Sequence, residues 1–531
     1  MDKKKSGSYY TPTRLADFVA DYCLSKISRK TISVLEPSVG DGSFVKAIVK
    51  SDKLNSFSKI NLTIVEKDNL ELEKAKVIDK NKKINILSHN SDYLKFHFED
   101  TSLYSLIIGN PPYVKKTLLS DLQKDAAKLI HAEKNLSEKS INNIWTSFLV
   151  SGITKLSIDG ILAMILPLEL LQVKFTEEIR SLLKSEFQRI EIFTFDELQF
   201  QECKGQDTVL LIGYKKHNFQ GTFYTNINSI DNLENGNYEF YQNAALVNSD
   251  KKWTHHFITP DEYEFLEGLK NRLNNVTHYL NNKAGIVTAA NNFFIVNEKV
   301  LEKYNLKNFA KPIVQKGLFV NGSITFDDND FNNLVEANKP AFLLDFNDLT
   351  DDDLTDELQE YFNIGVEKKL PQGFKAKRRE KWYKVPNIAG IPEAFFFKRA
   401  HDYPKLIKND ANVRVTDSAY KIHMKEGHIL DNFIFSFYNS LTLTFAELEG
   451  RYYGGGVLEL TPNEFRTLPV PYTICRDFEG YKNNFENKQS IKNVLDQYNY
   501  QILNTTLGLN NEEINRIELI RQKLINKRQK N

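Results

Sequence analysis

The sequence predicts an α/β fold, a mostly parallel twisted sheet with helices on its faces, followed by a second domain of α+β character. Three observations carry that expectation. Short β-branched runs alternate with amphipathic helical patterns over about the first 215 residues, the rhythm that builds a parallel sheet. The rhythm stops after "LIGYKKHN" and gives way to aromatic- and Asn-rich sequence with short strands. The 531 residues also exceed what a single core accommodates.

Taken in order, the strand candidates are "TISVLEP", "INLTIVEKD", "KINILSH", "YSLIIGN", "GILAMILP", "RIEIFTF" and "TVLLIGYK". Helical patterns such as "RLADFVADYCLSKI" and "TEEIRSLLKSEF" lie among them. The first domain is placed at residues 1–218, with an irregular Asn-rich connection at 219–261. A second domain at 262–471 holds the acidic "DFNDLTDDDLTDELQE" and then the basic "KKLPQGFKAKRREKWYK". Residues 472–531 form a Lys/Asn/Gln-rich tail, expected as a solvated helix or helix pair.

Lys+Arg is 70 and Asp+Glu 69, so any surface for a polyanion must be local. The three cysteines, Cys23, Cys203 and Cys475, are far apart and show no metal-ligand spacing. No metal is expected, and the cysteine usage suits a reducing cytoplasm. The opening "MDKKKSGSYY" has no apolar stretch behind it, and no apolar run is long enough for a bilayer, so no membrane partner is expected.

Chemistry concentrates at strand ends, where open α/β sheets place their sites. In "VLEPSVGDGSF" a strand ends in Glu36-Pro37, Gly40 and Gly42 bracket Asp41, and a helix pattern opens at Phe44. Glycines there let backbone approach a ligand, while the flanking acids favour a cationic ligand, such as an amino-acid end, over a phosphate. The bland alternative is a tight turn. The next strand ends in Glu66, about twenty residues on, where an acid meets ribose hydroxyls. A third ends near Asp92, placed to meet an adenine amino group. Each acid alone reads more simply as a solvated loop residue. Three at successive strand ends describe a pocket for adenosine with an amino-acid tail, S-adenosylmethionine.

"IIGNPPYV" then drives a buried strand into Asn110, Pro111, Pro112 and Tyr113. Alone it reads as a strand stopped by prolines. With "GSYYTP" ahead of "EPSVGDGSF", the order resembles the gamma-class amino-methyltransferases of restriction–modification systems. The second half is similar to their TaqI-like specificity domain, through "KAGIVTAANNFFIV", "NDANVRVTDSAY" and "RYYGGGVLELTPNEFRTLPVP". The resemblance implies a Rossmann-like class I methyltransferase domain and a C-terminal target-recognition domain. It implies methylation of adenine N6, or less often cytosine N4, in double-stranded DNA, with S-adenosylhomocysteine as product. The Asn110 side-chain oxygen and the Pro111 carbonyl would accept the hydrogens of a flipped-out base's amino group. Tyr113 would stack on one face of that base and Phe200 on the other, with ordinary loop packing as the alternative for Phe200. Tyr10, Thr11 and Pro12 would contact the cofactor's methionine end, alongside Glu36, Pro37, Gly40, Asp41, Gly42 and Phe44.

For the target sequence, Lys375, Lys377, Arg378 and Arg379 interleaved with Trp382 suit a nucleic-acid backbone, and Arg451 beside three glycines suits a groove. Solvated surface and a plain glycine turn are the competing readings. The protein is expected to act as a monomer, with a possible cognate endonuclease acting separately. Rival readings are a methyltransferase of the same motif acting on protein glutamine or RNA, a bifunctional enzyme with its own nuclease, and a non-catalytic DNA-binding protein that keeps the fold.

Overall fold

The computed structural model describes residues 10–76, 81–196, 207–242, 252–320, 322–350, 353–453, 455–485 and 490–529. The chain forms two compact units, the first running to Tyr263 and the second from Glu264 to Gln529 apart from residues 453–455.

The first unit is built on an eight-stranded sheet. Its strands are β1 (Thr31–Glu36), β2 (Lys59–Glu66), β3 (Ile84–Asn90), β4 (Tyr104–Gly109), β5 (Leu156–Pro167), β6 (Arg189–Phe195), β7 (Thr208–Tyr214) and β8 (Gly221–Ile227). They lie in the order β3-β2-β1-β4-β5-β7-β6-β8. β7 runs antiparallel to both neighbours and the remaining pairs are parallel. Strand order reverses between β1 and β4, so a crevice opens at their carboxyl ends. All seven strands expected from the sequence are present.

Helix α1 (Thr13–Ser25) forms because Leu15, Ala16, Val19, Ala20, Cys23 and Leu24 recur at helical spacing, and all six are buried. Helix α2 (Ser43–Lys50) buries Phe44, Val45, Ala47 and Ile48. Both helices share a core with Val34, Ile60, Leu62, Leu106 and Ile108 of the sheet. Each such Leu or Ile contributes about 1.5–3 kcal/mol by leaving water. β4 is buried at every position and stops where Asn110 meets the two prolines.

Two boundaries differ from the sequence expectation. The segment expected as a connection from residue 219 contributes β8, which pairs with β6 in unbroken register from Arg189↔Gly221 to Phe195↔Ile227. An edge strand with one half-exposed face needs little hydrophobicity, and "GTFYTNI" hides among its Asn neighbours.

The tail is no solvated appendage. In the second unit, helices Ile491–Leu507 and Asn511–Gln529 bury apolar rows that include Leu503, Ile517 and Leu524. Arg528 makes a bidentate pair at 2.8 Å with Glu447, both side chains being almost wholly buried. The rest of this unit is mixed, with a four-stranded sheet, a five-stranded sheet and short helices.

Candidate functional site

A half-open cleft with about 640 Å³ of empty space lies at the carboxyl ends of β1, β2, β3 and β4. Of the residues expected there, Tyr10, Pro37, Gly40, Glu66, Asp92, Asn110 and Pro112 line it. Two backbone features make the convergence possible. Gly40 has φ +50°, and a Cβ there would meet the Tyr10 ring at 3.3 Å. Gly109 ends β4 against Pro37, whose Cδ would lie 3.1 Å from an added Cβ. The glycine turn and the Asn-Pro-Pro turn therefore touch because one of them has no side chain.

Hydrogen bonds fix the acids. The Gly40 N–H donates to Glu66 Oε2 at 3.1 Å and the Asp68 N–H to Oε1 at 3.0 Å. A carboxylate offers about four lone-pair sites, so Glu66 retains acceptor capacity toward the cleft. Asp92 lies two residues past the end of β3 and caps helix α3 (Tyr93–Glu99), taking the Leu94 N–H on Oδ1 at 2.9 Å. Its Oδ2 takes Gln123 Nε2 at 2.8 Å, so this acid is already half engaged within the fold. Gln123 is itself held in a capping box with Ser120 at the start of helix α4 (Asp121–Ala132).

Asn110 Nδ2 donates to Thr11 Oγ1 at 3.3 Å, and the Asn110 backbone oxygen accepts from Ser38 Oγ at 3.2 Å. The Tyr113 hydroxyl is shared between the Ile165 carbonyl at 3.1 Å and Asn110 Oδ1 at 3.3 Å. The Tyr10 phenol is pushed up to about 12 by burial and then by Glu71, Asp41 and Glu66.

Several expected contacts lie outside the cleft lining. Glu36 is buried, with Oε2 unpartnered, and burial followed by Asp41 and Glu66 pushes its carboxyl well above the usual range. Asp41 turns back to Ser43, accepting its N–H at 3.1 Å and its hydroxyl at 2.6 Å. Gly42 serves as the left-handed N-cap of α2, and Phe44 is core. Thr11 is buried beneath Asn110, and Pro12 sits at the N-cap of α1. Pro111 is buried and Tyr113 half-buried beside the lining rather than in it. Phe200 and Cys203 lie outside the described residues.

The sequence reading missed Ser38, Val65, Lys67, Ser91, Tyr93, Gln123, Ile144 and Phe148, which complete the wall. Tyr93 is the best supported of these. Its ring lies 4.7 Å from that of Phe148, on helix α5 (Ile144–Thr154). Its hydroxyl accepts from Ser151 Oγ at 2.8 Å. Ser151 Oγ is also 2.8 Å from His97 Nδ1, and His97 Nε2 is 3.1 Å from Glu133. The "S-x-x-Q" of Ser120 and Gln123 is readable as a helix start, but nothing local says that it meets Asp92.

In the second unit, Lys375, Lys377 and Arg378 are exposed, with Arg378 stacked 4.0 Å from the Phe374 ring. Three other expected contacts are committed to the fold. Arg379 donates to the carbonyls of Thr288 at 2.8 Å, Trp382 at 3.2 Å and Val287 at 3.3 Å. Trp382 packs against the core around Phe293 and Phe362. Arg451 pairs with Glu464 at 2.9 Å. Among the described residues no cluster of His, Cys, Asp and Glu is placed to hold a metal, and no helix is long and apolar enough to cross a membrane.

A parallel sheet with one antiparallel strand, β7, inserted between β5 and β6, and a cleft at the β1–β4 reversal, defines a class I S-adenosylmethionine-dependent methyltransferase fold carrying a C-terminal α+β domain. Both halves of the chain match restriction–modification methylases of the Eco57I type. Residues 26–200 match the Eco57I restriction-modification methylase, and residues 250–503 match the C-terminal domain of Type II methyltransferase M.Eco57I.

It is 25% identical over 539 residues to Type II methyltransferase M.AccI of Acinetobacter calcoaceticus, covering 98% of this chain and 93% of that one. It is 28% identical over 244 residues to Type II methyltransferase M.HincII of Haemophilus influenzae, covering 43% of this chain and 42% of that one. Among solved structures, the Type IIL restriction-modification enzyme MmeI in complex with DNA shares the fold. The TM-score is 0.60 at 12% identity, over 96% of this chain and 75% of that one.

Proposed function

We propose that this protein transfers a methyl group from S-adenosylmethionine to N6 of an adenine at a specific site in duplex DNA. The observation that carries the reading is Asn110, whose side chain lines one cleft with Gly40, Glu66 and Asp92. Its amide is oriented by donation to Thr11, and its Oδ1 is an acceptor that already takes the Tyr113 hydroxyl at a long 3.3 Å.

An S-adenosyl amino acid suits this cleft on several counts. Gly40 gives a side-chain-free cradle. Glu66 and Asp92 keep lone pairs for hydroxyl and amino hydrogens. Phe148, Ile144 and Pro112 give flat apolar walls. Glu36, buried behind the turn with a free oxygen, stands ready for a polar partner. When bound, the cofactor supplies an electrophilic methyl group on a sulfonium.

An exocyclic amine is a poor nucleophile because its lone pair is delocalised into the ring. Asn110 Oδ1 and the Pro111 carbonyl accept the two amine hydrogens and draw the nitrogen toward a tetrahedral shape. They also stabilise the positive charge that grows on it, an electrostatic and positional form of catalysis. Pro111 and Pro112 fix the backbone that aims the carbonyl. A paired adenine cannot reach such a site, so the base leaves the helix. Tyr113 is assigned to one face of the base, its ring anchored through its hydroxyl, and Phe200 to the other. The second unit reads the target sequence, with Lys375, Lys377 and Arg378 toward phosphates. Adenine is favoured over cytosine N4 because asparagine heads the motif.

The test is modified-base sequencing of DNA from cells that express the protein. N6-methyladenine at one recurring sequence is expected. N4-methylcytosine would transfer the same chemistry to the other base. Unmodified DNA, with labelled methyl appearing on protein or RNA instead, would defeat the reading.

A further inference from the structure

The five-stranded sheet of the second unit ends on strand Leu280–Ala284, which pairs on one side with Ala419–Met424 and, among the described residues, has no strand on its other side. An open cleft with about 1040 Å³ of empty space borders this edge and gathers Lys283, His423, Lys425 and Arg466 from three separate stretches of chain. The protein as a whole has almost equal numbers of cations and acids. Among the described residues, neither Lys283, Lys425 nor Arg466 forms an ion pair. Arg466 is held by neutral groups, Asn282 Oδ1 at 2.7 Å, the Asn282 carbonyl at 3.2 Å and Asn463 Oδ1 at 3.4 Å. Lys425 donates to the Thr277 carbonyl. His423 Nδ1 lies 3.7 Å from Glu393 Oε1.

Two further features raise the positive potential. The strand register sets Lys421 directly opposite Lys283, a like-charge pair that a sheet ordinarily avoids. Lys421 is buried and donates to the carbonyls of Asn387 at 3.1 Å and Ala389 at 3.4 Å, not to an acid. Burial, then Arg414 and Lys283, push its ammonium below the usual range. The Nδ2 of Asn282, a residue only 6% exposed, finds no acceptor among the described residues.

We propose that this sheet edge, through Lys283, Lys425 and Arg466, docks the phosphate backbone of the duplex that the first unit methylates. The inference rests on duplex DNA being the substrate. A row favours a polymer over a single small anion. Lys425 follows the residue paired with Leu280, so it stands four register steps from Lys283, about 13 Å along the strand. That span covers several charges of a nucleic-acid strand, which rises about 3.4 Å per phosphate. The surface is separate from the basic run at residues 375–384, and no local sequence pattern announces it.

The test compares the full-length protein with the double variant Lys283→Gln/Lys425→Gln, both exposed positions. Equilibrium binding of a labelled duplex carrying the target sequence is measured across a salt series. Two lost phosphate contacts should flatten the plot of log affinity against log salt by about 2 and weaken binding about 60-fold at 0.1 M salt. Cofactor affinity and the melting curve should be unchanged, which shows that both units are intact. An unaltered slope and affinity in the variant, with wild type binding the duplex normally, would overturn the docking surface and leave the methyltransferase reading standing. If wild type binds cofactor yet no duplex, the DNA reading itself falls and this inference with it. Selective loss of RNA binding in the variant would overturn DNA as the occupant.

Discussion

Replacing Asn110 with alanine separates the catalytic role of the Asn-Pro-Pro turn from its structural one. Its side chain's hydrogen bonds include two long ones, to Thr11 Oγ1 and from the Tyr113 hydroxyl, both 3.3 Å. Losing both costs folding about 1–2 kcal/mol, since a typical net contribution is near 1 kcal/mol each. Tyr113 keeps its 3.1 Å bond to the Ile165 carbonyl, so the turn holds. The chemical step loses more. One of two acceptors aimed at the developing charge disappears, a change that typically removes about 10²–10³ from kcat, or about 2.7–4 kcal/mol of barrier. Asn110→Ala should therefore remain folded, bind cofactor within a few-fold of wild type, and turn over at most about one hundredth as fast. The assay is transfer of labelled methyl to a duplex containing the target sequence, with cofactor affinity measured by calorimetry on the same preparation. A folded, cofactor-competent Asn110→Ala within tenfold of wild type would refute the assignment of Oδ1 as an amine acceptor.

Three further outcomes follow from buried polar groups. Glu36 holds its proton more tightly in the folded protein than in the unfolded chain, where such a carboxyl titrates near 4.5. Stability from this group is thus full below 4.5 and lost as pH rises toward the raised native value. Urea unfolding between about pH 4 and 8 should show that decline in wild type and a shallower one in Glu36→Gln, and parallel curves would contradict it. Arg528→Ala strands Glu447 in the interior and should destabilise the second unit by about 3–5 kcal/mol, whereas a loss below about 1 kcal/mol would mean that water reaches the pair. Ser151→Ala removes the partner of both the Tyr93 hydroxyl and His97 Nδ1, at a cost of about 1–3 kcal/mol. Adding Tyr93→Phe should cost less than the sum of the two single changes, and strict additivity would show the hydroxyls to be uncoupled.

The parallel half of the protein was legible because its information is local. A β-branched run, a turn and an amphipathic helix each declare themselves within about ten residues, and chain connectivity then limits how the strands are ordered. Hence β1 to β7 could be read off directly, as could the gathering of Gly40, Glu66, Asp92 and Asn110 at one edge. The edge strand β8 escaped because a half-exposed strand tolerates Asn and Thr. The C-terminal helices looked solvated because their polar residues are abundant. Arg528 counted as surface charge although its guanidinium lies wholly within the fold.

Residue type announced which chemistry was available, but distance in sequence hid which groups were already committed. Arg451 and Arg379 look alike from the sequence as free cations beside glycines or aromatics. One is paired with Glu464 and the other spent on three carbonyls. Lys283, Lys425 and Arg466 show the converse. None belongs to a charge run, and each alone is an unremarkable surface residue, yet a strand register and a helix end bring them to one edge, where among the described residues none of the three forms an ion pair. The same holds for Glu133, His97, Ser151 and Tyr93, whose hydrogen bonds join three helical segments behind the cleft wall. A cation or a histidine read from sequence is therefore only a candidate. Its function is decided by whether the folded chain supplies it a partner, and long-range pairing is the one term that local pattern does not encode.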